Sequence, residues 1–163
     1  MRRANIPMAA AAVVAAVLLG VGYRVLFPSD EQRIRQRLEE LVAALNHPAE
    51  GLDAMTRAAQ IGRAFTTDVE VQTREGMTIR GKDTLMAIAT RLQPRTEGLN
   101  VEIRDVSVTK DDETHAHVEL TATYIDPAGD GRAIDATEFT LQVVKPERDW
   151  LIARVAPVRV LER

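Results

Sequence analysis

Tyr124 ends an alternating run, Ala116, Val118, Leu120, Ala122 and Tyr124, which puts its phenol on the apolar face of a strand. Two carboxylates, Asp135 and Glu138, stand in the next such run, and which of them shares that face depends on where the strand changes phase. A carboxylate beside a phenol in an apolar cavity could act as a general base with a hydrogen-bond donor, because desolvation raises a carboxyl pKa. The plainer alternative is a tyrosine at a pocket rim and an acid near a hairpin, both wet. His115, His117 and Glu119 share the opposite, polar face, at about 6.6–7 Å per step. Two imidazoles and a carboxylate are a donor set for iron or zinc, but ordinary solvent exposure or a subunit contact explains them equally. Asp126 to Gly131 places acids near glycines without the ligand count of a calcium loop, and reads as a hairpin turn. Ser29 and Ser107 are the only serines, and there is no cysteine. No nucleophile arrangement, phosphate loop or metalloprotease signature occurs, so serine or thiol hydrolysis is excluded and no cofactor is expected.

The elements that must carry these residues follow from periodicity. Ser29 and Gln32 have capping-box spacing, and Ile34, Leu38, Leu41, Val42 and Leu45 then recur as on a helix running to about Asn46. His47-Pro48 breaks it. Leu52, Met55, Ala59 and Ile61 predict a second, shorter helix, which Gly62 weakens. From Thr66 the period becomes two, with Val69 and Val71 on one face of a strand that Arg74-Glu75-Gly76 turns back into Met77–Arg80. Gly81 opens a third helix with Leu85, Met86, Ile88, Ala89 and Leu92 on its apolar face, ended by Pro94. The remainder reads as four antiparallel strands. Leu99, Val101 and Ile103 differ in parity from Val106 and Val108, and Ile134 and Ala136 differ from Phe139, Leu141 and Val143. Each switch predicts a bulge, one near Arg104-Asp105 and one near Thr137-Glu138, and hence a strongly curved sheet. Trp150 and Ile152 open the final strand, which is predicted to reach about Val160.

Charge is unevenly placed. Residues 1–28 hold Arg2, Arg3 and Arg24 and no acid, which leaves 18 of the 21 basic residues against 24 acidic ones in the rest. A domain that acidic has no electrostatic basis for binding a phosphate backbone, so nucleic acid is excluded as a partner. Ile6–Tyr23 is free of charge, and the positions from Ile6 to Phe27 reach roughly 33 Å as a helix, enough for a hydrocarbon core of about 30 Å. Residues 1–28 are therefore expected to be a transmembrane anchor inserted through 6–27, and 29–163 the folded domain. Arg2 and Arg3 ahead of the span place that domain outside the cytoplasm, although Arg24, Arg33, Arg35 and Arg37 follow it. The alternative is a cleaved signal peptide and a secreted or periplasmic product, but Gly20-Val-Gly22 is a poor cleavage site.

The order helix, helix, short hairpin, helix, four-stranded curved meander resembles the nuclear transport factor 2-like superfamily, with its SnoaL-like and ketosteroid isomerase-like members. Ile79-Arg-Gly81-Lys-Asp-Thr-Leu85 looks like the strand–glycine–helix junction before that family's third helix, and Asp149-Trp150-Leu-Ile152 like the Trp-x-Ile opening its last strand. The resemblance spans nearly all of residues 30–160. It implies an α+β cone, three N-terminal helices on a curved, mostly antiparallel sheet, here preceded by the transmembrane helix. It leaves function open, because the cone hosts isomerases, dehydratases, hydrolases, non-catalytic binders and membrane-anchored assembly components. Two expectations follow. The first is a membrane-tethered extracytoplasmic, non-catalytic module that meets a protein partner or a second copy through its sheet. The second is a small lyase or isomerase using Tyr124 and a strand carboxylate, with a ligand held between Tyr124 and Trp150.

Overall fold

The computed structural model describes residues 28–48, 52–91, 100–125 and 133–158. The expected span 6–27, Leu92, Pro94, Leu99, the Asp126–Gly131 turn and the end of the last strand at Val160 lie outside them. Among the described residues no helix is long and apolar enough to cross a membrane.

Helix α1 (Asp30–Asn46) starts where the sequence places it. Ser29 and Gln32 form the reciprocal capping box, Ser29 N–H donating to Gln32 Oε1 at 2.9 Å and Gln32 N–H to Ser29 Oγ at 3.2 Å. Ile34, Leu38 and Ala44 form its buried stripe. At its other end Asn46 accepts from Val101 N–H and donates to Val101 C=O, each at 2.8 Å, satisfying the backbone of an edge strand. Helix α2 (Leu52–Gly62) follows, but turned from the predicted face: Ala54, Arg57, Ala58, Ile61 and Gly62 are buried, while Leu52 and Met55 are exposed. Gly62 explains part of this choice, since a Cβ there would lie 2.8 Å from Met86 Sδ of α3 (Lys82–Arg91), so this face alone lets the two helices approach.

Six strands form one sheet in the order β2-β1-β6-β5-β4-β3: β1 (Phe65–Gln72), β2 (Thr78–Arg80), β3 (Asn100–Lys110), β4 (His115–Ile125), β5 (Ala133–Val144) and β6 (Leu151–Pro157). All pairings are antiparallel except β1 with β6. The mixed pairing joins the early hairpin to the late meander and wraps the sheet around α1. Val118, Leu141, Val143, Trp150 and Ile152 meet Ile34, Leu38, Ile61 and Val69 in the core.

The predicted bulge in β3 is present. Register slips between Arg104 and Ser107, and Asp105 takes the left-handed φ of 52°, so Ile103 and Val106 both face inward despite their parity. The bulge expected near Thr137-Glu138 is absent. β5 runs in unbroken register with β4 from Val144 to Asp135, and the slip lies at Ile134 instead. Asp135 and Thr137 therefore continue the inward face of Phe139 and Leu141. That is tolerable because this end of the sheet is a wet rim: Asp135 is exposed and Thr137 only half-buried. A further slip, with Ala153 as the extra residue, bends β6 so that Ile152 and Val155 both reach the interior.

Candidate functional site

Between α1 and the curved sheet lies an apolar cavity of about 220 Å³. Leu38, Leu41, Val42 and Leu45 supply its helical wall, and Phe65, Val71, Leu85, Val101, Ile103, Leu120, Ala122, Phe139, Leu141, Ile152 and Val155 the rest. These are the positions that helical and strand periodicity point inward, so the cavity is the unfilled remainder of the core. Among the described residues none of the lining side chains is ionisable or hydrogen-bonding.

Tyr124 sits beyond one end of that lining, half-buried, directly opposite Val101 on β3 and Asp135 on β5. The register thus decides which carboxylate shares the tyrosine's face: Asp135 does, and Glu138, paired with Thr121, lies on the other side. Asp135 is not the desolvated base envisaged from the sequence. Its side chain is 49% exposed and its carboxylate is 2.6 Å from the Arg74 guanidinium, which also donates to Thr137 Oγ1. Arg74, in the β1–β2 turn, was not singled out from the sequence, and nothing local could have shown that it reaches β5.

Trp150 lies far from Tyr124. It precedes Leu151, which pairs with Val144, which in turn pairs with His115 at the opposite end of β4. From His115 to Tyr124 the strand advances roughly 30 Å, so no small ligand bridges Tyr124 and Trp150. The indole is instead buried at 2% exposure in a polar node built on Asp30. Asp30 Oδ1 accepts from Trp150 Nε1 at 3.1 Å and Lys145 Nζ at 2.8 Å, and Oδ2 accepts from Lys110 Nζ at 2.7 Å. Lys145 also lies over the indole, 5.5 Å from the ring centroid. Asp30 occupies the first turn of α1, where the helix dipole favours an anion.

The hydrogen bonds from Lys110, then Lys145, with a further one from Trp150, hold the Asp30 carboxyl well below the usual carboxylate range. A carboxyl whose folded pKa is depressed contributes stability that is complete above its unfolded pKa of about 4 and is lost as pH falls below it. Asp30→Asn should therefore cost about 2 kcal/mol near neutral pH, in line with loss of charge-assisted hydrogen bonds. The gap between wild type and variant should close progressively below about pH 4. Thermal melts from pH 7 to pH 3 read this directly, and a pH-independent gap would remove Asp30 as the titrating group.

His115, His117 and Glu119 do share the outer face of β4, as predicted, but each histidine is engaged with the β3–β4 turn. His117 Nδ1 lies 2.9 Å from Asp111 Oδ1, and His115 Nδ1 lies 3.0 Å from Asp112 Oδ2. Asp112 also accepts from the Thr114 N–H at 2.6 Å and the His115 N–H at 2.7 Å, and Thr114, followed by His115, holds its pKa down at about 2. These contacts close a tight turn. Among the described residues no three His, Cys, Asp or Glu side chains converge to hold a metal ion.

No family model matches the sequence, and none of the curated proteins does. Solved structures do resemble the fold. A domain of unknown function with a cystatin-like fold from Nostoc punctiforme aligns with a TM-score of 0.67 at 19% identity, covering 83% of this chain and 80% of that one. An NTF2-like protein with a cystatin-like fold from Novosphingobium aromaticivorans gives 0.64 at 13% identity, over 86% and 88% of the two chains. A protein provisionally named scytalone dehydratase, also from Novosphingobium aromaticivorans, gives 0.61 at 15% identity, over 80% and 85%. The chain therefore has the cystatin-like, NTF2-like cone fold expected from the sequence.

Proposed function

We propose that this chain is a membrane-tethered, extracytoplasmic, non-catalytic binding or assembly module. The observation that carries the non-catalytic part is the cone interior: among the described residues its lining offers shape and apolar surface but no acid, base or hydrogen-bonding group. General acid–base chemistry needs such a group within hydrogen-bond reach of the reacting atom. The apolar stretch 6–27 supports the tether, and its flanking arginines support the orientation. A protein partner or a second copy of the chain would meet the outer face of the sheet, where His117, Glu119, Thr121, Glu138, Thr140 and Gln142 present a polar surface.

Carbonate extraction and N-terminal sequencing of the native protein test the tether. The chain is expected to stay with the membrane and to keep its N-terminus, and a soluble chain beginning near Tyr23 would sink the anchor. A fusion reporter active only in the cytoplasm would overturn the orientation. The lyase or isomerase reading keeps one specific support, the shared inward face of Tyr124 and Asp135 in a fold that a provisionally named dehydratase also adopts. A turnover abolished in both Tyr124→Phe and Asp135→Asn, with folding intact, would establish it in place of the binding module.

A further inference from the structure

Two clefts lie along α1, one beside each half of the helix, and share Arg37 and Glu40 as a common wall. The one nearer the start of the helix, about 320 Å³, is bounded by Pro28, Arg33, Gln36, Arg148 and the Trp150 indole. Three arginines here face two carboxylates, and both acids are already held by Arg37: Glu40 at 3.4 Å and Asp149 at 3.6 Å. Arg33 and Arg148 are exposed, and among the described residues neither makes an ion pair. In a domain that is acidic as a whole, the cleft thus carries an excess of one positive charge, with the guanidinium groups of Arg33 and Arg148 outside its ion pairs. Pro28, which lines it, directly follows Phe27, the last residue of the apolar stretch.

We infer that this cleft binds the phosphate of an anionic phospholipid headgroup in the membrane that holds the chain. The inference rests on the reading that residues 6–27 span that membrane. One residue advances the chain by at most about 3.6 Å, while the headgroup layer on each side of the hydrocarbon is roughly 5–7 Å deep. Pro28 is then within the headgroup layer, and the cleft it lines opens there. Guanidinium groups match phosphate oxygens in geometry as well as charge. The headgroup phosphates of the surrounding lipid are the anions present at highest local concentration. Binding of Arg33 and Arg148 to them would fix the domain's tilt on the membrane and leave the outer face of the sheet and the rim at Tyr124 turned to the solvent.

The chain's single tryptophan lines the cleft and serves as the reporter. Full-length protein in neutral maltoside micelles would be titrated with short-chain phosphatidylglycerol, with short-chain phosphatidylcholine and with inorganic phosphate, reading Trp150 emission. The expected result is a saturable response to phosphatidylglycerol alone. In the Arg33→Gln/Arg148→Gln double variant it should be weakened about 25-fold, roughly fivefold for each basic residue at an anionic surface. The variant's far-ultraviolet circular dichroism and melting temperature should be unchanged, because both side chains are exposed. An equal response to phosphatidylcholine, or an unaltered one in the double variant, would overturn the inference. A response to inorganic phosphate as tight as to the lipid would reduce the cleft to a general anion site and overturn it as well. The titration needs no bilayer, so a chain that carbonate strips from membranes yet still binds phosphatidylglycerol would cost the anchor and leave the cleft.

Discussion

Trp150→Ala is expected to destabilise the domain by about 3–5 kcal/mol, the range for large aromatics removed from cores. The indole is 2% exposed and packs with Ile34, Val143 and Ile152 in the core cluster, so its loss opens a cavity at the junction of α1, β5 and β6. It also withdraws the N–H from Asp30, leaving that carboxylate to the two lysines. Trp150→Phe separates the two effects, because it keeps most of the buried area and removes only the donor. A double-mutant cycle of Trp150→Phe with Asp30→Asn should then give a coupling of about 0.5–1.5 kcal/mol, the usual net worth of one hydrogen bond. Chemical denaturation with m-values measured for each variant is the test. Near-neutral stability of Trp150→Ala would mean that β6 presents its other face to the core.

Arg57→Ala should cost about 3 kcal/mol, which for a domain of this size lowers the melting temperature by roughly 10 °C. Arg57 is 4% exposed on the inner face of α2. Its Nη1 donates to His47 C=O and its Nη2 to Ala89 C=O, each at 3.2 Å. These carbonyls belong to the C-terminal ends of α1 and α3, where backbone acceptors are left unpaired within the helix and the dipole is negative. One guanidinium therefore ties three helices together at the ends that most favour a cation. Arg57→Lys should recover only part of the loss, since an ammonium cannot present the planar fork that spans two separate carbonyls. Arg63→Ala, exposed just past the same helix, is the control and should fall within about 0.5 kcal/mol of wild type. A loss at Arg57 no larger than at Arg63 would show that the three helices are held by apolar packing alone.

Much of this architecture was legible in the sequence because it is written in short-range pattern. The capping box at Ser29 and Gln32, the change of period at Thr66, the glycine opening α3 and the bulge at Asp105 each depend on residues within a few positions of one another. Backbone sterics and the alternation of side chains across a pleat fix such features before any distant contact forms. Charge and the long apolar run at 6–27 likewise gave the expectations for partners and placement. The candidate site was less legible. The sequence offered both Asp135 and Glu138 as partners for Tyr124, and only the register of β5 on β4 chose between them. Parity alone misplaced the β5 irregularity, because polar residues on an inward face are tolerated where that face reaches a wet rim. In α2 the apolar spacing favoured Leu52 and Met55, but the close approach at Gly62 and the carbonyls awaiting Arg57 turned the helix so that those two side chains face water. Arg74 on Asp135, and Lys110, Lys145 and Trp150 on Asp30, join residues 61 to 120 positions apart. The energy of such contacts exists only once the sheet has wrapped around α1. Local periodicity determined which elements form and roughly where they bend; the parallel pairing of β1 with β6 and the long-range polar contacts, decided by tertiary packing, determined which faces and which charges meet.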